Sequence, residues 1–337
     1  MANKQTSNKI TIANIVAMVG IVLLGIFTFM GHSYLSGGEL AWDVIVSLAV
    51  VSVTSLLLWL LIRAKGAENE LDKWKKTEYT TLGIYIIFAI TTSIYCGTMH
   101  FFIVNAQKDD IKQFAFNDLT KIDTLFVQYR DFETEAINQT KTGLLNSYSA
   151  GAQHSSILKD FLRRYEIPHR NAVNTFCEDE QHKLLGDRYD DLFANYESQK
   201  RDIKNVINNW NTLKIASKAK AIEDLAEILS QKLTEWSAQA ILPEVNQENG
   251  KYTIVQNTQQ KEYKINVESL EFKKAIAETT GFSFLALLMI LLIHALILFN
   301  YIVAYRTHTV KTKSNRNDDG GIIPLTAMTL LQKSFPM

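Results

Sequence analysis

The chain of 337 residues carries 35 Lys and Arg against 35 Asp and Glu, and 47% of it is hydrophobic. A balanced charge excludes the basic footprint of a nucleic-acid binder, and the averages alone describe an ordinary soluble protein. The distribution does not: apolar residues gather in four blocks, while most of the charge lies between Lys108 and Glu278.

A membrane helix needs about 20 mostly apolar residues. In chain order, a short polar arm (1–9) precedes "ITIANIVAMVGIVLLGIFTFM" (10–30), followed by "DVIVSLAVVSVTSLLLWLLIR" (43–63), "TLGIYIIFAITTSIYCGTMHFFIV" (81–104) and "FSFLALLMILLIHALILFNYIVAY" (282–305). No block has an acidic or basic residue in its interior, so the sequence predicts four transmembrane helices in a lipid bilayer. The first run is too long for a signal-peptide core and no clear small-x-small cleavage site follows it, so it is expected to be retained.

Positive charge sets the expected orientation. Lys4 and Lys9 precede the first block; Arg63, Lys65, Lys73, Lys75 and Lys76 follow the second; Arg306, Lys311, Lys313 and Arg316 follow the fourth. The link "GHSYLSGGELAW" (31–42) has no Lys or Arg. Both termini, the 64–80 loop and the 306–337 tail are therefore expected in the cytoplasm, and 105–280 outside. Cys96 sits in the third block and Cys177 is alone in the external segment. An external domain without an internal disulfide suits the periplasmic side of a bacterial inner membrane.

From Ile111 the apolar residues Phe114, Leu119, Ile122, Leu125, Phe126, Tyr129, Phe132 and Ile137 recur at helical spacing, with Asp118 breaking one expected contact. No Pro lies between Thr81 and Lys141, and Gly97 is the only Gly there after Gly83. The economical reading is a single helix leaving the bilayer as a rigid stalk, with Asn105–Asp110 its weakest stretch. "TGLLNSYSAGAQHSS" (142–156) reads as a loop. Amphipathic runs then follow at Ile157–Tyr165, Val173–Phe176, Tyr189–Leu213 and Ile222–Trp236, predicting an α-helical bundle. "KYTIVQ" and "EYKINV" alternate like strands, predicting a β-hairpin over 251–267 that packs on the bundle or pairs with a neighbouring subunit. "ESLEFKKAIAETTGF" is expected to lead helically into the last block. The fold class is thus a mainly α membrane protein with an α-helical periplasmic domain and one hairpin.

Candidate chemistry is sparse. His169, Cys177, Glu178, Asp179, Glu180 and His182 are metal-ligating types, but "PHRNAVNTFCEDEQH" contains no CxxC, HxxxH or HExxH spacing, so the acidic triplet Glu178, Asp179 and Glu180 reads better as a solvated helix start or turn. His294, near the middle of the fourth block, is a default functional candidate. No Asp or Glu inside the blocks completes a proton relay, so a neutral ring satisfied across a helix interface is expected. Ala13, Ala17 and Gly20, then Ser47, Ser52 and Ser55, then Thr91, Thr92 and Ser93, permit close helix approach and interhelical hydrogen bonds, as in a packed bundle or homo-oligomer. Trp42, Trp59 and Trp74 lie near the predicted interfaces. No P-loop, GxGxxG, GxSxG or kinase set occurs, and 105–280 holds 23 Lys and Arg against 27 Asp and Glu. No catalytic, cofactor or metal residue is nominated, and no nucleic-acid partner is expected.

Three membrane helices, an external domain and one final membrane helix, from "TLGIYIIFAITTSIYCGTMHFF" through "FSFLALLMILLIHALILFNYIV", resemble the TssN family in layout across the whole chain. That resemblance implies an inner-membrane subunit of a divergent type VI secretion system, one that replaces the usual TssJLM envelope complex. It also implies oligomerisation and partner subunits such as TssO, TssP, TssQ and TssR; no site residue carries over. The expectation is a non-enzymatic scaffold of an envelope-spanning complex. The alternative is a membrane sensor acting through a separate partner, since no HAMP-like, kinase or cyclase output follows the last block. A transporter fits least, because the blocks lack interior charge and repeats.

Overall fold

The computed structural model describes residues 2–66, 71–255, 261–281 and 283–303, with backbone alone for 2–11, 66 and 71–74. The helices, in chain order, are α1 (Ala2–Ser36), α2 (Leu40–Gly66), α3 (Leu71–Tyr95), α4 (Thr98–Ala106), α5 (Lys108–Ser147), α6 (Ser156–Arg164), α7 (Arg170–Leu185), α8 (Asp187–Asn208), α9 (Ile215–Gln239), α10 (Phe272–Glu278) and α11 (Phe284–Val303). The strands are β1 (Gln153–His154), β2 (Glu244–Glu248) and β3 (Lys251–Val255). The described residues are mostly helical, with one small three-stranded sheet.

Among the described residues, three helices are long and apolar enough to cross a membrane: α1 from Ile12, α2 and α11. Helices α3 and α4 supply a fourth span if the pair, bent by 44°, counts as one. The helices outrun the apolar blocks. The 1–9 arm is helical from Ala2, and α1 continues to Ser36, which shrinks the 31–42 link to a turn at Gly37 (φ 71°) and Gly38 (φ 87°). Helix α3 begins at Leu71, so much of the expected 64–80 loop is helix too. The 306–337 tail and the side chain of Trp74 lie outside the described residues.

Small residues set the spacing inside this apolar bundle. Ala13 and Ala17 are buried, and a methyl on Gly20 would lie 2.9 Å from Ile297, so α1 and α11 touch closely. Ser47 donates to the Gly25 carbonyl at 2.7 Å across α1 and α2. Ser52 and Thr91 are exposed and tie no helices together. Trp42 and Trp59 also face outward, with Arg63 over the Trp59 ring at 5.1 Å.

The single helix expected from the third block into the body is not continuous. It breaks at Gly97 (φ 92°), where α4 departs from the α3 direction. A milder irregularity follows at Gln107, whose N–H still reaches Ile103 and Val104 while its carbonyl accepts from Ile111 at 3.1 Å. Helix α5 then runs 40 residues, about 60 Å. It is not a free stalk. Its apolar face, from Ile111 through Phe126 and Tyr129 to Leu144, is buried under α7, α8, α9, α10 and β2, which makes α5 the spine of the body.

The other helices follow their periodicity with trimmed ends. Ser155 caps α6 by accepting from Leu158 N at 3.2 Å. The run expected to reach Leu213 stops at Asn208, with Trp210 in the left-handed region (φ 46°). The expected 142–156 loop is helical up to Ser147; Gly143 is there because a Cβ would sit 2.8 Å from Val245 of β2.

The β-hairpin falls elsewhere than expected. β3 is the anticipated first strand, but it pairs backwards with β2 across Asn249 (φ 50°) and Gly250 (φ 75°). Two successive positive φ values define a type I′ turn, the connection Asn-Gly favours. β1 adds in parallel through Gln153 opposite Lys251. Residues 262–266 form an extended strap rather than a strand, and a short 3-10 turn at Val267–Ser269 leads to α10. The strap lies on α9: Tyr263 N–H donates to Thr234 Oγ1 at 3.0 Å and Ile265 N–H to Ser230 Oγ at 3.0 Å. Strand-like alternation is therefore satisfied by hydroxyls one helical turn apart. The expected helical lead into the last block is interrupted around Gly281, between α10 and α11.

Candidate functional site

The metal-like run of α7 is dispersed around its helix. His169 is the N-cap, its Nδ1 accepting from Ala172 N at 3.2 Å. Cys177 packs in the core, where burial pushes its thiol up to about 11, which makes it an unreactive apolar filler. The acidic triplet is not the solvated helix start or turn expected: it lies within α7, and Glu180 is buried because one carboxylate oxygen accepts from Ile241 N at 2.8 Å and the other from Lys183 at 2.5 Å. Glu178, Asp179 and His182 are exposed. Among the described residues, no three His, Cys, Asp or Glu side chains gather as a metal would require. Two surface grooves, of about 480 Å³ between α5 and β2 and about 670 Å³ beside Tyr148 and Pro168, are both open to solvent.

His294 has partners at its own depth. Tyr85 Oη lies 2.9 Å from Nδ1 and Ser93 Oγ 3.4 Å from Nε2. Two hydroxyls, each able to donate or accept, suit an uncharged ring with one donor and one acceptor nitrogen. Seven residues along both helices, Tyr301 donates to Glu78 at 2.6 Å, and Lys65 caps the Tyr301 carbonyl at 2.5 Å. The Tyr85–His294 and Glu78–Tyr301 rungs tie antiparallel α3 and α11 in one register, and Lys65 ties the end of α2 to the same point on α11. Tyr85→Phe is expected to destabilise the bundle by about 1 kcal/mol, measured as a small fall in the thermal midpoint of the solubilised protein. A second polar knot closes the α1–α2 turn: His32 Nδ1 is 2.7 Å from Asp43 Oδ1, which also accepts from Ser36 at 2.8 Å.

The most distinctive constellation lies where bundle and body meet. Gly97 presses on Gly31 of α1: a methyl on Gly31 would lie 1.8 Å from the Gly97 carbonyl oxygen. Three residues before Gly31, Thr28 and Thr98 share a hydrogen bond of 2.8 Å, and three after it, Tyr34 stacks on Phe101 at 6.1 Å. His100 Nε2 donates to the Ile276 carbonyl of α10 at 2.7 Å. Trp210 Nε1 donates to Asn105 Oδ1 at 2.7 Å, which anchors the strained turn after α8. One continuous apolar core runs from Tyr34, Phe101 and Val104 into Ile111, Phe126 and Leu229.

Buried carboxylates complete the connection. Asp118, fully buried, accepts from Glu271 N and Phe272 N at 2.8 Å each and pairs with Lys121 at 3.1 Å. Glu133 accepts from the Tyr263 hydroxyl at 2.7 Å, and burial together with that carboxylate holds the phenol well above its ordinary value. The chain leaving the bundle through α5 is thereby tied to the chain returning to it through α10. Sequence reasoning placed none of these roles. Two of these residues did stand out in the sequence: Asp118, which interrupts the apolar face of α5, and Gly97, a glycine in a largely β-branched and aromatic run that it shares with Gly83.

The geometry defines a class: a helical body integrated with an apolar helix bundle through a glycine-tight, hydrogen-bonded junction. No protein-family model, curated protein or solved structure matches the chain.

Proposed function

We propose that this protein is a non-enzymatic membrane scaffold, an inner-membrane subunit of a multi-protein envelope-spanning complex of the type VI secretion kind that its layout resembles. In this reading the termini are cytoplasmic and the 105–280 body is periplasmic, consistent with the basic residues flanking the apolar blocks. The observation that carries it is the junction: the His100–Ile276 bond and a shared core join bundle to body, with the Gly31–Gly97 contact locking the bundle beside it and the Asp118–Phe272 bond locking the body beyond it. A subunit that holds other proteins across an envelope needs its external body fixed relative to its anchor.

The second reading is a sensor signalling through a separate partner. It draws on the helix breaks at Gly97 and Gly281, which lie on the two covalent passages between bundle and body. The experiment that separates them is native purification through an N-terminal tag after gentle solubilisation. A large particle containing other envelope proteins is the expected outcome. A small oligomer without partners would sink the scaffold and leave the sensor.

A further inference from the structure

We propose that the strap at 262–264 is a self-complementary edge, at which two copies of this chain pair antiparallel about a two-fold axis through Tyr263. The backbone supplies the first argument. Tyr263 and Ile265 turn their N–H groups towards α9, where Thr234 and Ser230 accept them, and Thr234 donates back to the Tyr263 carbonyl at 3.2 Å. In an extended chain successive N–H and C=O groups point to opposite sides, so those of Glu262 and Lys264 point away from α9. Within the described residues neither has a backbone partner. Asn266 is committed to the following turn, accepting from Ser269 N at 2.8 Å, so the open edge is short and centred on Tyr263.

The side chains supply the second argument. Tyr263 is anchored inward on Glu133, while Glu262 and Lys264 are exposed on the outer face, 3.9 Å apart. Antiparallel pairing centred on Tyr263 sets Glu262 opposite Lys264 of the partner subunit, and Lys264 opposite the partner's Glu262. Both ion pairs are opposite in sign. Both are also the narrow pairs that exchange two hydrogen bonds each, so backbone and charge select the same register. An edge guarded against association carries like charges, typically Lys; here alternate signs make the edge its own complement, as an isologous contact requires. The surface is small, and it relies on the membrane reading above, because copies held in one bilayer meet at high local concentration.

The test uses full-length chains carrying Glu262→Cys or Lys264→Cys, expressed singly and together, in membranes oxidised with a mild copper catalyst. The mixed pair is expected to give a disulfide between 262 and 264, mapped by mass spectrometry, at several-fold higher yield than either single variant, whose cysteines would lie diagonally. Separately, Glu262→Lys is expected to lower the dimer fraction by native mass measurement, and adding Lys264→Glu to restore it. Both positions are exposed, so folding is not at issue. Equal yields in the single and mixed samples, or a double reversal that fails to restore the dimer, would overturn the edge. Its failure leaves the scaffold reading standing, since that is judged by copurifying envelope proteins; a chain that fractionates away from membranes would remove both.

Discussion

Gly97→Ala is expected to lower the thermal midpoint of the solubilised protein by roughly 5–10 °C and to release the body from its fixed position on the bundle. Two effects add. Gly97 sits at φ 92°, a region that L side chains enter at a cost of about 1–2 kcal/mol. The new methyl would also lie 2.4 Å from Gly31 C and 2.5 Å from His32 N. These are backbone atoms of α1, so no side chain can swing aside, and overpacking of this kind costs about 1–3 kcal/mol. The simplest relief is separation of α4 from α1, which would break the Thr28–Thr98 bond and the Tyr34–Phe101 stack. Gly31→Ala meets the same wall from the other side. Gly83→Ala is the control: a methyl there has nothing within 4 Å, and alanine in a helix is favoured over glycine by about 1 kcal/mol. If Gly97→Ala and Gly83→Ala melted alike, the junction would not be the tight contact described.

The difference between Gly97 and Gly83 shows what the sequence could and could not convey. Both are single glycines within one apolar run, and composition does not distinguish them; the contact with Gly31 is 66 positions away in the chain and visible only in three dimensions. Where the determining forces are local, the reading was close. The apolar blocks mark the helices of the bundle, and Ile157–Tyr165 marks α6, because burial of a periodic face is written directly into the order of residues. Small residues at Ala13, Ala17 and Gly20 pointed to a close helix approach for the same reason, while its partner, Ile297 of α11, is set only in three dimensions. The hairpin was misplaced although its signal is local: Asn249-Gly250 is the strongest short turn code, and it outranks the alternation of 262–267. That alternation was real but was satisfied by hydroxyls of α9 instead of a second strand. His294 is bonded across a helix interface as its depth implied, and Ser93 is one of the hydroxyls expected to bond between helices. Periodicity does not say which residues of two different helices meet, so the His294–Tyr85 and His294–Ser93 pairs are visible only in three dimensions. The stalk became a spine because periodicity tells which face is buried, not what buries it.

Asp118 carries the same lesson to its largest consequence. It interrupts the apolar face of α5, and a carboxylate at a fully buried position is an error unless something needs it. The return segment does: Glu271 N and Phe272 N at the start of α10 have no helical acceptor, and one oxygen of Asp118 serves both, while Lys121 binds the other and also donates to the Ser269 carbonyl at 2.6 Å. Asp118→Ala removes the acceptor shared by the buried Phe272 N–H, the part-buried Glu271 N–H and the partly exposed Lys121, a loss of about 2–4 kcal/mol, since each buried group left unsatisfied costs about 1–3 kcal/mol. The effect should be regional. Hydrogen exchange across 267–278 is expected to accelerate about 100-fold, since each 1.4 kcal/mol corresponds to about tenfold, while α7 and α8 keep their protection because their core contacts do not pass through Asp118. Asp118→Asn retains one carbonyl-type acceptor for the backbone but loses the charge that holds Lys121, so its exchange should fall between the two. Uniform acceleration over the whole body would mean that Asp118 supports global stability and not the return strap. Unchanged exchange would mean that the packing of Phe272 and Ile276 alone holds α10 in place. The graded, local result would identify Asp118 as the point at which the chain leaving the bundle grips the chain going back.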